Sequence, residues 1–147
     1  MDYIAQLIER YPVLASVENE IRTAYQVLER AYTNHKKLLV GGNGGSCADA
    51  EHIVGELMKG FVKKREIPKT MQERLLGLDQ ELGKQLANGL QSSLRAIAIT
   101  GHAGLSTAFA NDVDPEMTYA QQVNGYGDEG DVLLAISTSG NAKNLIY

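Results

Sequence analysis

The chain has 147 residues, of which 44% are hydrophobic and 22% charged, with a formal net charge of -4. That length suits one globular domain with a real core, and the acidic balance disfavours a general binder of nucleic acid or anionic membranes, though not a site for one small anion. A single cysteine, Cys47, excludes an intramolecular disulfide framework and fits a reducing cytoplasm, and no apolar run approaches the roughly 18–20 residues that span a bilayer.

Residues 2–11 place Ile4, Leu7 and Ile8 at helical spacing, and Pro12 closes the segment. The start, MDYIAQLIERYP, has no cationic stretch ahead of an apolar one and does not read as a secretory signal. A longer amphipathic helix is predicted from about 14 to 34, with Leu14, Val17, Ile21, Leu28 and Ala31 on one side. Two helices ahead of the first strand suit an outer layer, an oligomer contact or a plain core role. Lys37–Gly41 (KLLVG) reads as a buried strand, and residues 46–61 as a helix with Ile53, Leu57 and Phe61 turned inward. Residues 62–94 differ in character. KKREIPK is charged and broken by Pro68, and the stretch after it predicts a surface excursion with a helix over about 71–87, strained at Gly77 and Gly83.

Arg95–Thr100 (RAIAIT) reads as a second buried strand, Leu105–Ala110 as a short helix and NDVDP as a turn. Glu116–Tyr126 is predicted helical, GDEG is a turn, Asp131–Ser137 is a third strand, and a helix starts near Ala142. Strands alternating with helices imply an α/β fold with a parallel sheet covered on both faces. Ligands in such folds bind at the carboxyl ends of the strands. All three strands here end in small polar loops, GGNGGS, TGHAG and STSGN.

Asn43, Gly44, Gly45 and Ser46 stand between a strand and a helix. Glycine admits close backbone approach, the free N–H groups of a helix start attract an anion, and Ser46 can cap the helix while donating to a ligand. The same residues also make a strand-to-helix turn with no ligand. They match neither an ATP-type P-loop nor the GxGxxG pattern. Ser137, Thr138 and Ser139, followed by Gly140 and Asn141, offer enough neutral donors for a phosphate, and otherwise form an ordinary turn. His52 and Glu56 lie four residues apart on one helix face. They suit metal ligation, acid–base work or a surface pair, and two ligands alone do not close a zinc site. Asn111 and Asp112 suit the orientation of substrate hydroxyls or simply end a helix. Tyr119, Gln121 and Gln122 suit a polar site or an interface, though their helix requires neither.

Together, GGNGGSCADAEHIVGEL, TAFANDVDPEMTYAQQV and GDVLLAISTSGNAKN resemble the SIS (sugar isomerase) domain family. Within it the resemblance is to phosphoheptose isomerases, over roughly residues 15–62 and 95–147. It implies a three-layer αβα sandwich with a parallel sheet, Rossmann-like, preceded by N-terminal helices. The whole of 1–147 would be one such domain, with those helices in 1–34 and a helical insertion at 63–94. The implied reaction converts sedoheptulose 7-phosphate to glycero-manno-heptose 7-phosphate through an enediol. Substrate would be held by Asn43, Gly44, Gly45, Ser46, Asn111, Asp112, Ser137, Thr138 and Ser139. Glu56 would move the proton between C1 and C2, with His52 as the second catalytic residue, and both would ligate one zinc ion per subunit. The family also implies a homotetramer, with neither nucleic acid nor membrane as partner.

Three departures from the family pattern stand out. The 63–94 segment is longer than usual. Ala142 occupies a position where a serine commonly helps to bind phosphate. The pattern also continues past the position of Tyr147 with another βα unit and a helix bearing a Gln and a His. The chain is therefore expected to be truncated at its C-terminus and short of part of the metal and acid–base set. A different class of function fits the same motifs: a non-catalytic SIS module that binds a phosphosugar or a protein partner such as a replication initiator. Such modules tend to lose the helix glutamate, so the presence of Glu56 favours the enzyme.

Overall fold

A computed structural model describes residues 2–147. Asp2 caps α1 (Tyr3–Arg10), its carboxylate accepting from the backbone N–H groups of Ile4 and Ala5. The same carboxylate meets Arg22, which also pairs with Glu18, so α1 is tied to α2 (Glu18–Thr33). The helix expected over 14–34 is divided. Pro12–Val17 form a 3-10 helix, and Val17 at φ -121° restarts the backbone ladder at Glu18.

The next elements are β1 (Leu38–Gly42), α3 (Gly45–Met58), α4 (Lys69–Leu78) and α5 (Gln80–Gly89). They are followed by β2 (Ala96–Ala98), α6 (Ala103–Asp112), a 3-10 turn at Pro115–Met117, α7 (Thr118–Tyr126), β3 (Val132–Ile136) and α8 (Lys143–Ile146). The strands form one parallel sheet in the order β2-β1-β3. β1 pairs with β3 along its whole length, from Leu38 opposite Val132 to Gly42 opposite Ile136. As the central strand it is buried throughout, which is why it reads as an unbroken apolar run.

Side chains alternate across the pleat. Leu38 and Val40 join Ala50 and Ala96 in a core that Leu28 and Tyr32 of α2 and Ile53, Val54 and Leu57 of α3 close over. On the other face, Leu145 of α8 lies over Gly41, and α7 is seated by Gln122, whose amide donates to the Ile99 carbonyl at 2.8 Å. Helices on both faces of a parallel sheet make the three layers. β2 and β3 are the two edge strands, and on β3 Leu133 and Leu134 are exposed at 47% and 38%. No helix among the described residues is long and apolar enough to cross a membrane.

Two further expectations need correction. α3 ends at Met58, so Phe61 lies beyond the helix and is 80% exposed rather than turned inward. The end is set from a distance. Arg65 donates to the Leu57 carbonyl at 2.6 Å and Ser93 to the Met58 carbonyl at 2.7 Å, taking up acceptors that a longer helix would have used. The single helix expected over 71–87 is two. Asp79 leaves helical geometry at φ -157° and caps α5, its carboxylate accepting from the Leu82 N–H at 2.6 Å. Gly83 is not a point of strain but the buried crossing point of α5 against Leu75 of α4.

A buried ion pair joins the starts of β1 and β3. The Lys37 ammonium lies 2.5 Å from Asp131 and 2.6 Å from Asp128, and the Lys37 N–H donates to Asp131 at 2.9 Å. Burial opposes the charge on Asp131, but the Lys37 ammonium and the N–H groups of Lys37 and Asp128 outweigh it and hold its pKa down to about 2. Because that value lies below the ordinary 3.8, the stabilisation is complete above the ordinary value and is lost as pH falls through about 2. Asp131→Asn should cost about 2–3 kcal/mol at neutral pH, since Lys37 keeps only Asp128. In urea titrations from pH 7 to 2, the gap between wild type and variant should close as the medium becomes more acid than pH 4. A gap that stays constant with pH would disprove this role.

Candidate active site

β1 runs directly into α3 through Asn43 and Gly44. A Cβ on Gly42 would sit 2.5 Å from the Ser46 carbonyl oxygen, so only glycine lets the first turn of α3 press on the strand end. Gly44 turns the chain at φ 56° and ψ -120°, a region that side-chain-bearing residues rarely enter. The helix cap is therefore Gly44, and Ser46 lies inside the first turn, only 8% exposed, where it was expected to be the cap. Its N–H donates to the Asn43 carbonyl at 3.0 Å.

β3 ends at Ile136, opposite Gly42, so the 137–141 loop opens beside the 43–46 loop. The hydroxyls of Ser137 and Ser139 stand 3.4 Å apart, and Ser139 accepts from the Asn141 N–H at 3.2 Å. Thr138 and Ser139 are exposed. The first loop is joined to α8, just beyond the second, by an amide pair. Asn43 and Asn144 each donate to the other, at 2.8 and 2.9 Å. Tyr119 of α7 donates its hydroxyl to the Gly42 carbonyl at 2.6 Å and lies 3.2 Å from the side-chain Oδ1 of Asn43. Burial, with Cys47 nearby, raises the Tyr119 pKa and keeps the phenol a neutral donor. The loop after β2 is tied to α3 in turn, Thr100 donating to Glu51 at 3.1 Å.

His52 and Glu56 lie on a different flank of α3 from Glu51, 3.8 Å apart, with side chains 78% and 47% exposed. Asn111 and Asp112 were expected in a turn but form the last two residues of α6, which breaks only at Val113. The Asn111 amide donates to the Asp112 carboxylate at 2.5 Å, about 12 Å along the helix from its start at Ala103. The structure thus groups the 43–46 and 137–141 loops and leaves the Asn111–Asp112 pair at the far end of α6. Among the described residues no group of three His, Cys, Asp or Glu side chains could hold a metal. His52 and Glu56 make two zinc donors by type, and these residues do not form a closed four-ligand centre.

Asn144 and Glu51 border the site without any role read from the sequence, whereas Tyr119, read there as a polar-site or interface residue, is placed beside the first loop. Their signal lies in which helix falls on which strand end, and that needs the sheet order. Gly42→Ala should lower stability by about 1–3 kcal/mol through the clash with Ser46. Gly45→Ala, with open space around it, should change stability by less than about 1 kcal/mol. Urea unfolding of both variants checks the contrast; equal effects would show that α3 does not depend on that close approach.

No protein-family model matches the chain. The phosphoheptose isomerase of Nitratiruptor sp. is 34% identical over 145 residues, which are 96% of this chain and 64% of that protein. The probable phosphoheptose isomerase of Thermoplasma acidophilum is 36% identical over 119 residues, 81% of this chain and 51% of that one. Among solved structures, a phosphoheptose isomerase from Neisseria gonorrhoeae superposes with a TM-score of 0.62 at 29% identity, over 98% of this chain and 58% of that one. One from Francisella tularensis gives a TM-score of 0.64 at 25% identity, over 99% and 67%. The chain spans less than two thirds of the length of these curated relatives. In sequence and in fold, over nearly all of its own length, the chain is a relative of the phosphoheptose isomerases.

Proposed function

We propose that the protein is a phosphosugar aldose–ketose isomerase acting between sedoheptulose 7-phosphate and glycero-manno-heptose 7-phosphate. The observation that carries this reading is the opening of two polar loops side by side at the ends of adjacent parallel strands, in a chain whose relatives are named phosphoheptose isomerases. Phosphate rests on the hydroxyls of Ser137, Thr138 and Ser139, remote from the reacting carbons, and orients the sugar. The sugar reaches the backbone of Asn43, Gly44, Gly45 and Ser46; Asn111 and Asp112 stand apart at the end of α6, and their part as ligands for its hydroxyls rests on the resemblance alone. Glu56 takes the proton from the carbon next to the carbonyl, giving an enediol, and returns it to the former carbonyl carbon. The hydroxyl proton crosses between the two oxygens, so the net change is an isomerisation. His52 lies beside Glu56 as its partner in proton exchange. Zinc belongs to this reading as an ion for which His52 and Glu56 supply two ligands.

Exposed Tyr3, Val13, Val17 and Tyr25 on the N-terminal helices support a homotetramer. The single cysteine supports a cytoplasmic setting. Glu56→Gln should lower turnover of sedoheptulose 7-phosphate about 100-fold or more, followed by NMR of the sugar, with the fold and the substrate affinity kept. Wild-type protein that binds the sugar phosphate but turns nothing over, with or without added zinc, would replace the enzyme by a non-catalytic phosphosugar-binding module.

A further inference from the structure

Asn43 is exposed, yet its side chain is bonded to the protein itself. Its amide and that of Asn144 form a closed ring of two hydrogen bonds between residues 101 apart in sequence, linking the loop after β1 to α8. A carboxamide oxygen has two lone pairs. Here one meets the Asn144 amide at 2.9 Å and the other faces the Tyr119 hydroxyl at 3.2 Å. Asn43 therefore commits its amide N–H and one oxygen lone pair to Asn144, and the Tyr119 oxygen, whose single proton goes to the Gly42 carbonyl, stands in the approach to the other. Neither brace is free to drift. Leu145, next to Asn144, lies over Gly41, and Tyr119 is held by the Gly42 carbonyl at 2.6 Å. Three elements that are distant in sequence meet at one side chain.

We propose that Tyr119 and Asn144 are positioning residues that lock the 43–46 loop through Asn43, so that the loop meets its ligand with backbone amides rather than with the Asn43 oxygen. The ligand in this inference rests on the phosphosugar reading; the lock rests on the hydrogen bonds alone. An interaction of this kind lowers the cost of binding by holding the loop in its bound shape beforehand.

Hydrogen exchange in the ligand-free protein tests the lock. The reporters are the N–H groups of Ser46 and Cys47, bonded to the carbonyls of Asn43 and Gly44, with Leu39 in β1 as reference. Asn144→Ala and Tyr119→Phe should each speed exchange at Ser46 and Cys47 about tenfold and leave Leu39 unchanged. No change at Ser46 and Cys47, or equal acceleration at Leu39, overturns the lock whatever the protein binds. Titration calorimetry with sedoheptulose 7-phosphate then tests its use. Asn43→Ala, Asn144→Ala and the double variant should weaken binding by the same factor, because each opens the same ring. A loss for Asn43→Ala about tenfold greater than for Asn144→Ala would mean that Asn43 touches the sugar and would overturn the proposal. If the wild type binds no sugar phosphate, the functional reading falls, and the exchange result still decides the lock.

Discussion

The pairing of β1 with β3 is the constraint on which the rest of this structure depends. Lys37 stands one residue before β1 and Asp131 one residue before β3, and their buried contact sets the two strands level. A slip of one residue would turn Leu38 and Val40 away from α2 and α3 and strand a charge in the interior. With the register fixed at one end, Gly42 and Ile136 finish together at the other, and the two polar loops open side by side. Charge at the amino ends of the strands thus determines where the neutral donors stand at the carboxyl ends.

Much of this is legible in the sequence, for physical reasons. β1 is flanked by a strand on each side and covered on both faces, so nearly every residue in it must be apolar, and the run KLLVG stands out. The parallel sheet follows from alternation with helices. Apolar spacing does not separate a 3-10 turn from an α-helix, so Pro12–Val17 merges with α2 in the sequence pattern. Asp79 sits in a polar stretch where a cap and a solvated helical residue look alike. Phe61 keeps the helical period of α3, but Arg65 and Ser93 end that helix from outside it. The two loops were legible because strand ends and small polar residues coincide. The tie from Asn43 to Asn144 was not, since it depends on α8 crossing above β1.

The 63–94 excursion is more than an appendage. Its two ends come together at the bridge between Glu66 and Gln91, and beyond that neck α4 and α5 pack mainly against each other. Residues at and beside the neck close the carboxyl end of α3. The helix that carries His52 and Glu56 is therefore pinned at both ends, by Gly42 at its start and by the neck of the excursion at its finish.

The register that aligns the loops also dictates an order of events in folding. Lys37 must wait for a partner 94 residues further along the chain. As the chain leaves the ribosome, α1 and α2 can meet at once, but Leu38–Val40 stays half-covered until β3 emerges. Contacts of such long sequence separation form late and slowly, because the loop between them must close before the pairing repays it. The most buried strand of the finished protein is thus the one that stays uncovered longest while it is being made.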